Sequence, residues 1–284
     1  MIQSKGGVMG QINVMMSGLP GNVTRIIAEH IEADNRFDLM PVSLTGPGIP
    51  DKEIMIREKN VALVLPEAHK ERLISEKEKN GDFIIVDFTH PTAVNANAAL
   101  YAELGIPFVM GTTGGDREGL IKTVENSQIA AVIAPNMVKQ IVGLQDMLTY
   151  AAENFNDLFK GFTLDVVESH QKGKADTSGT AKALVGLFKH MGVDYDMESI
   201  RKVRDPEVQK NEWNIPEEYL GGHGWHTYTL TSPDKNMKFQ FVHNINGRNI
   251  YAPGTMDAVC YLDKKVKEGA KGAVFSMIDV LKNK

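Results

Sequence analysis

Between residues 167 and 181 the chain reads Val-Glu-Ser-His-Gln-Lys-Gly-Lys-Ala-Asp-Thr-Ser-Gly-Thr-Ala, which brings a titratable ring, His170, and two cations, Lys172 and Lys174, next to a run of helix-capping residues. An imidazole exchanges a proton near neutral pH, and a nearby ammonium adds positive charge. Asp176, Thr177 and Ser178 all suit an N-cap, and Gly179 lets a ligand approach the backbone. Free amides and the helix dipole at such a start make an anion site. The expected guest is a carboxylate or phosphate, with His170 as proton donor and Lys174 as a second donor or an anchor. The competing reading is a capped helix with solvated lysines and a surface histidine.

These residues need a strand before them and a helix after. Residues 162–167 read as a strand, and residues 180–190 have helical apolar spacing that stops near Gly192. A second strand-turn-helix stands at the start of the chain. Residues 11–17 form a buried strand, Gly18-Leu19-Pro20-Gly21-Asn22-Val23-Thr24 a turn, and residues 25–31 a helix. In dinucleotide-binding units the turn amides and helix start hold a pyrophosphate. Here Thr24 stands at the third glycine position and Pro20 removes an amide, so an ordinary glycine turn is the alternative.

Further strands at 37–45, 61–65, 83–87, 106–110 and 129–133 alternate with helices at 68–79, 93–104 and 116–126. That alternation predicts an α/β fold: a doubly wound, Rossmann-like parallel sheet with ligands off the strands' carboxyl ends. Three turns fall there: Phe88-Thr89, Gly111-Thr112-Thr113 and Ala134-Pro135-Asn136-Met137. The second strand ends Ser43-Leu44-Thr45 without the acid that would hold a ribose 2′-hydroxyl, which favours NADPH while leaving NADH open. After residue 136 the pattern changes. A helix at 140–156 and alternating strands at 224–230 and 237–243, joined by a turn at 232–236, predict an α+β substrate domain. Residues 205–219 read as an exposed polar excursion. The expected division is 1–136 with 250–284 for the dinucleotide, and 137–249 for substrate and catalysis.

With 284 residues, 42% hydrophobic and 24% charged, the chain can bury a substantial core. A net charge of −5 disfavours nucleic acid, and no apolar run reaches membrane-spanning length, so a cytosolic protein is expected, with a mature plastid protein as the alternative. One cysteine, Cys260, cannot form an internal disulfide and reads as a core residue. His223 and His226 stand three apart without further ligands, so no metal is expected. Arg248 is open between a ligand contact and a structural ion pair.

The stretch from Glu168 to Asp176, followed by Thr177-Ser178-Gly179-Thr180-Ala181, resembles the signature of dihydrodipicolinate reductases, and is nearer the plant-type form than the common bacterial one. Many bacterial members have a second histidine where this chain has Gln171. Asp87-Phe88-Thr89, Gly111-Thr112-Thr113-Gly114 and Pro135-Asn136 stand in the family's order and resemble the segments that border the nicotinamide. The resemblance implies NAD(P)H-dependent reduction of dihydrodipicolinate to tetrahydrodipicolinate in lysine and diaminopimelate biosynthesis. It implies His170 and Lys174 as catalytic residues, a small dicarboxylate substrate near Gln171, Ser178, Gly179 and Thr180, and cofactor contacts from Gly18 to Val23 and at the three turns. A homo-oligomer, dimer or tetramer, is expected. With Thr24 in place of a glycine, helix-on-strand packing is expected to be slightly relaxed. Residues 246–255 resemble the return to the first domain, which helices at 255–267 and 273–281 would complete, and closure is expected about hinges near Asn136 and Asn249. The alternatives are a related imine or amino-acid dehydrogenase and a nucleotide-sensing protein without turnover.

Overall fold

The computed structural model describes residues 10–283. By internal contacts the chain divides into two units, one ending at Lys139 and resuming at Tyr251, the other running from Gln140 to Ile250.

In the first unit, β1 (Ile12–Ser17), β2 (Phe37–Leu44), β3 (Glu53–Ile56), β4 (Lys59–Val64), β5 (Ile84–Asp87), β6 (Phe108–Met110), β7 (Ala130–Ile133) and β12 (Ala273–Phe275) form one sheet. Its order is β12-β7-β6-β5-β1-β2-β4-β3, parallel except for the β3–β4 pair at the edge. Helices covering both faces make a strand apolar on both sides, and Val14, Met15 and Met16 are all fully buried. Around them lie α1 (Asn22–Ala33), α2 (His69–Asn80), α3 (Val94–Glu103), α4 (Arg117–Glu125), α8 (Tyr251–Lys267) and α9 (Met277–Lys282). Strand order reverses at β1, with β5 on one side and β2 on the other. This is the switch point where open α/β sheets bind ligands.

The structure differs from the sequence expectation in three places here. Residues 273–275 are a strand on β7, and helix α9 starts only after Ser276, which forms a capping box with Asp279. Helix α8 begins at Tyr251, four residues before the expected Thr255. Pro253 and Gly254 read as breakers, but a first-turn proline gives up no intrahelical bond, and a Cβ on Gly254 would sit 1.9 Å from the Met137 carbonyl oxygen. Strand β3 adds an unexpected antiparallel partner to β4, which covers the strand expected at 61–65. The hairpin turns through Arg57 at φ 52°, with none of the glycine or asparagine that usually marks such turns.

The second unit opens with α5 (Lys139–Asn154) and carries a four-stranded sheet in the order β11-β10-β8-β9. Its strands are β8 (Thr163–His170), β9 (Arg201–Val203), β10 (His223–Thr231) and β11 (Lys238–Asn246). One face packs on α5 and α6 (Gly179–His190) through Leu148, Ala152, Val166, Leu184, Val185, Phe188, Tyr228 and Leu230. Phe188 is fully buried, and truncating such a residue costs about 3–5 kcal/mol, so α6 is firmly seated on the sheet. Two expectations change here. Strand β8 continues to His170, so Glu168, Ser169 and His170 lie on the sheet and the loop begins at Gln171. The 205–219 segment is folded rather than an exposed excursion. Asp205 caps α7 (Pro206–Asn211), and Gln209 and Ile215 are buried.

Candidate active site

In the antiparallel β8–β10–β11 register, Glu168 lies opposite His226 and His226 opposite His243, while His170 lies opposite Gly224. Paired residues share a sheet face, so a polar row crosses a face that is otherwise apolar. Gly224 makes room for the catalytic candidate, since a Cβ there would be 3.1 Å from Cε1 of His170. His170 Nδ1 is 3.0 Å from the His223 carbonyl oxygen, and its Nε2 is 3.3 Å from Nε2 of His226. The Gln209 side chain donates to the His170 carbonyl at 2.7 Å, which fixes the backbone as well. Burial pulls the His170 pKa down to about 4, against the pull of the Glu168 carboxylate, so the ring is neutral at pH 7. Burial also lowers His243 to about 4 and His226 to about 2.

Glu168 is fully buried and organises the following loop. One carboxylate oxygen accepts the Ser178 amide at 2.9 Å; the other is ion-paired with Arg204. Arg204 also donates to the carbonyls of Lys174 (2.7 Å), Val203 (3.1 Å) and Asp176 (3.3 Å). One guanidinium therefore ties the strand end to the loop that carries Lys174. Neither Glu168 nor Arg204 stands out in the sequence. An acid before a histidine and a base in a polar stretch carry no signal until the fold pairs them.

Beyond this brace, α6 starts at Gly179 with Ser178 as its N-cap, and no side chain caps it. The Ser178 amide is taken by Glu168, which leaves the Ser178 hydroxyl and the first-turn amides of Gly179 and Thr180 for an anion. Lys174 Nζ pairs with Asp176 at 2.8 Å, but the Asp176 side chain is 75% exposed, so an incoming carboxylate can compete for the ammonium. Gln171 is half-buried at the start of the loop, its carbonyl accepting the Lys174 amide at 3.0 Å. Arg248 donates to the Gly221 carbonyl at 3.3 Å, a structural contact.

Among the described residues, Glu168, His170 and His226 are one group with metal-ligand types within 4.8 Å of one another. Both Glu168 oxygens are already bonded, one to a guanidinium that would repel a cation, so the donor set fits a hydrogen-bonded cluster better than a metal centre.

In the first unit, the turn after β1 is built for close approach. Gly18 has φ 117°, and a Cβ there would lie 2.5 Å from the Phe88 carbonyl oxygen; one on Gly21 would lie 2.8 Å from the Gly18 carbonyl oxygen. Leu19 is fully buried beneath the turn, and Pro20 follows it through a cis peptide bond. Helix α1 begins at Asn22 and Val23 with no side-chain cap and no acid in its first turn. The Gly18 and Gly21 amides are taken by the carbonyls of Leu44 (2.8 Å) and Gly18 (2.9 Å), so a dinucleotide pyrophosphate would be met by the first-turn amides of Asn22 and Val23. Thr24 does not loosen the packing as expected. It is buried, and its hydroxyl donates to the Phe88 carbonyl at 3.2 Å, joining α1 to the turn after β5.

Asp87 at the end of β5 is the hub of that region. Its carboxylate accepts from Thr89 N (3.0 Å), Thr89 Oγ1 (2.7 Å), Thr112 Oγ1 (3.0 Å), Asn97 Nδ2 (3.0 Å) and the Tyr101 hydroxyl (2.8 Å). Thr112 also accepts the Thr89 amide at 2.8 Å, so two of the three turns are locked together. Gly111 lies against the Phe88 ring, where a Cβ would be 2.2 Å from Cζ, while Thr113 is exposed. In the third turn, Ala134 bonds to Met110 O at 2.9 Å, Pro135 follows, and Asn136 Oδ1 accepts the Val138 amide at 2.9 Å beside buried Met137. Beyond β2, the His69 ring is 3.1 Å and 2.9 Å from the carbonyl oxygens of Thr45 and Val64, and holds the end of that strand.

Comparison with known proteins agrees over both units. The family description "Dihydrodipicolinate reductase, N-terminus" matches residues 12–137, and "Dihydrodipicolinate reductase, C-terminus" matches residues 141–281. A chloroplastic 4-hydroxy-tetrahydrodipicolinate reductase of Arabidopsis thaliana is 43% identical over 271 residues, covering 95% of this chain and 78% of the relative. The 4-hydroxy-tetrahydrodipicolinate reductase of Thiobacillus denitrificans is 25% identical over 279 residues, covering 95% and 98%. The fold is also that of a dipicolinate-bound dihydrodipicolinate reductase from a Paenisporosarcina species, with a TM-score of 0.66 at 18% identity, covering 95% of this chain and 99% of that one.

Proposed function

The chain belongs to the dihydrodipicolinate reductase family, and from that premise we propose a division of labour among its residues. It is an NAD(P)H-dependent oxidoreductase of lysine and diaminopimelate biosynthesis, reducing dihydrodipicolinate, formed from 4-hydroxy-tetrahydrodipicolinate, to tetrahydrodipicolinate. The observation that carries the proposal is the uncapped start of α6 beside Lys174, one short loop beyond His170.

When bound, the nicotinamide nucleotide supplies the hydride. Gly18, Leu19, Pro20, Gly21, Asn22 and Val23 would hold its pyrophosphate, with Phe88, Thr89, Gly111, Thr112, Thr113, Ala134, Pro135, Asn136 and Met137 bordering its reactive half. On the substrate side, Ser178, Gly179 and Thr180 bind one carboxylate of the dicarboxylate. Lys174 supplies the positive charge at neutral pH, since the His170 ring is neutral there. Two carboxylates arriving beside that ring favour its charged form, so substrate binding itself draws a proton onto His170, which becomes available to the reduced product. Steady-state oxidation of NADPH with dihydrodipicolinate tests this reading. Turnover with amino-acid dehydrogenase substrates and none with dihydrodipicolinate would replace it with the related-dehydrogenase reading, and tight nucleotide binding without any turnover would favour a sensor.

No acid stands at the end of β2, at Ser43, Leu44 or Thr45, to repel a 2′-phosphate or accept a 2′-hydroxyl. NADPH is therefore used at least as well as NADH. Fluorescence titration should show this, and NADH bound more than ~10-fold tighter, about 1.4 kcal/mol, would refute it.

A further inference from the structure

We infer that His226 is a positioning residue for His170: its ring N–H caps Nε2 of His170 and thereby fixes where the proton on the His170 ring sits. The inference rests on the role proposed for His170 in the reduction. A carbonyl oxygen only accepts, so the 3.0 Å contact with His223 O puts a hydrogen on Nδ1 of His170. The Nε2 of the neutral ring is then an acceptor, and the nitrogen 3.3 Å away, Nε2 of His226, must be the donor. Glu168 Oε2, 3.8 Å from that same His226 nitrogen, favours a hydrogen there as well.

This arrangement leaves Nδ1 of His226 bare, and that atom is buried with no hydrogen-bond partner. Adding a proton to Nε2 of His170 would set two N–H groups head to head unless His226 moved its own hydrogen to Nδ1. That nitrogen has no acceptor to meet it, so the exchange is disfavoured until a charge change drives it. The His226 ring cannot swing aside easily. It stacks on His243 at 4.5 Å and lies nearly parallel to Tyr228, with a 6° interplanar angle at 6.3 Å.

The charged and titratable groups facing the pair are Glu168 from β8, Arg204 after β9, Lys174 with Asp176 from the loop, His223 on β10 and His243 on β11. Of these, Glu168 favours the charged form of His170, whereas Arg204 and Lys174 oppose it. The pair is thus poised so that anions bound in place of the Lys174–Asp176 contact tip the balance.

The test is histidine ring NMR on ¹⁵N-labelled full-length protein, titrated without ligand, for wild type, His226→Ala and His226→Gln, with pH profiles of kcat/KM for the same three. In His226→Ala, water entering the polar gap replaces the donor, and the His170 midpoint should rise from about 4 toward its ordinary value by at least a unit. The pH profile of its kcat/KM should move in the same direction as that midpoint, because one ring titrates in both. The glutamine amide can still donate to Nε2, so His226→Gln should keep the midpoint within half a unit of wild type and most of the activity. Should the alanine protein fail to fold, His226→Asn, whose shorter amide cannot span the gap, takes its place. A His170 midpoint unchanged in the alanine or asparagine protein overturns the inference, as does equal behaviour of the glutamine and alanine proteins. A shifted midpoint with an unmoved rate profile upholds the contact and removes His170 from the chemistry instead.

Discussion

At the scale of single residues, the cation and the loop start can be tested separately. Lys174→Ala should raise KM for dihydrodipicolinate and lower kcat together, because one ammonium serves both binding and the transition state. Its stability should change little, since the partner Asp176 is exposed and such pairs contribute about 0–1 kcal/mol. An unchanged KM and kcat would mean a solvated lysine. Gln171 supplies an amide that cannot carry charge, so Gln171→His should tighten binding of a non-reactive aromatic dicarboxylate at pH 5 and leave it little changed above pH 8. Measured Kd values that superimpose across pH would show that the position points away from the substrate. The residue scale is also where sequence reading falls short. The third-glycine position suggested a loosened joint, whereas Thr24 adds a hydrogen bond to Phe88 that a glycine could not make.

Among elements, the joint between β8 and the loop to α6 depends on Arg204. Arg204→Ala would leave a fully buried Glu168 carboxylate without its counter-charge and free the carbonyls of Lys174 and Asp176. Breaking one side of such a buried pair costs about 3–5 kcal/mol, and activity should fall further than stability because the Lys174 loop loses its anchor. Chemical denaturation should find most of the stability restored in Glu168→Gln combined with Arg204→Met, which leaves no bare charge; a single variant as stable as wild type would refute the brace. The sequence exposed β1, β2, β4, β5, β6 and β7 of the first unit because parallel strands buried on both faces read as unbroken apolar runs. It did not expose β3, β9, β12 or α7. Three-residue β9 carries two exposed residues and only half-buried Val203, and α7 buries a glutamine, Gln209, whose partner is a backbone carbonyl 39 residues away. Periodicity of apolar side chains cannot signal an element seated by polar contacts.

At the scale of the whole molecule, the two units carry their buried titratable groups unequally. The second unit holds His170, His226 and His243, whose pKa values burial lowers to about 4, about 2 and about 4, while in the first unit burial lowers His69. An unfolded histidine takes up its proton near pH 6.5, but these rings stay neutral in the folded state to lower pH. Between pH 6.5 and about 4 the unfolded chain therefore binds more protons, and stability present above pH 6.5 is lost as pH falls. By pH 5 the loss is on the order of 2 kcal/mol from His226 and less from each of the other two, whose rings solvent partly reaches. Carboxylates titrate mostly below this window, so the histidines dominate it. Both tryptophans of the chain, Trp213 and Trp225, lie in the second unit, so their fluorescence reports that unit alone while far-UV circular dichroism reports both. Urea unfolding followed by fluorescence should show a midpoint lower at pH 5 than at pH 7 by about 1 M or more, given slopes of about 1–3 kcal/mol per molar. The dichroism should retain the signal of the first unit beyond that midpoint at pH 5. A fluorescence midpoint unmoved between pH 7 and pH 5 would mean that the histidine row is hydrated in the folded protein and that its rings titrate as they do in the unfolded chain.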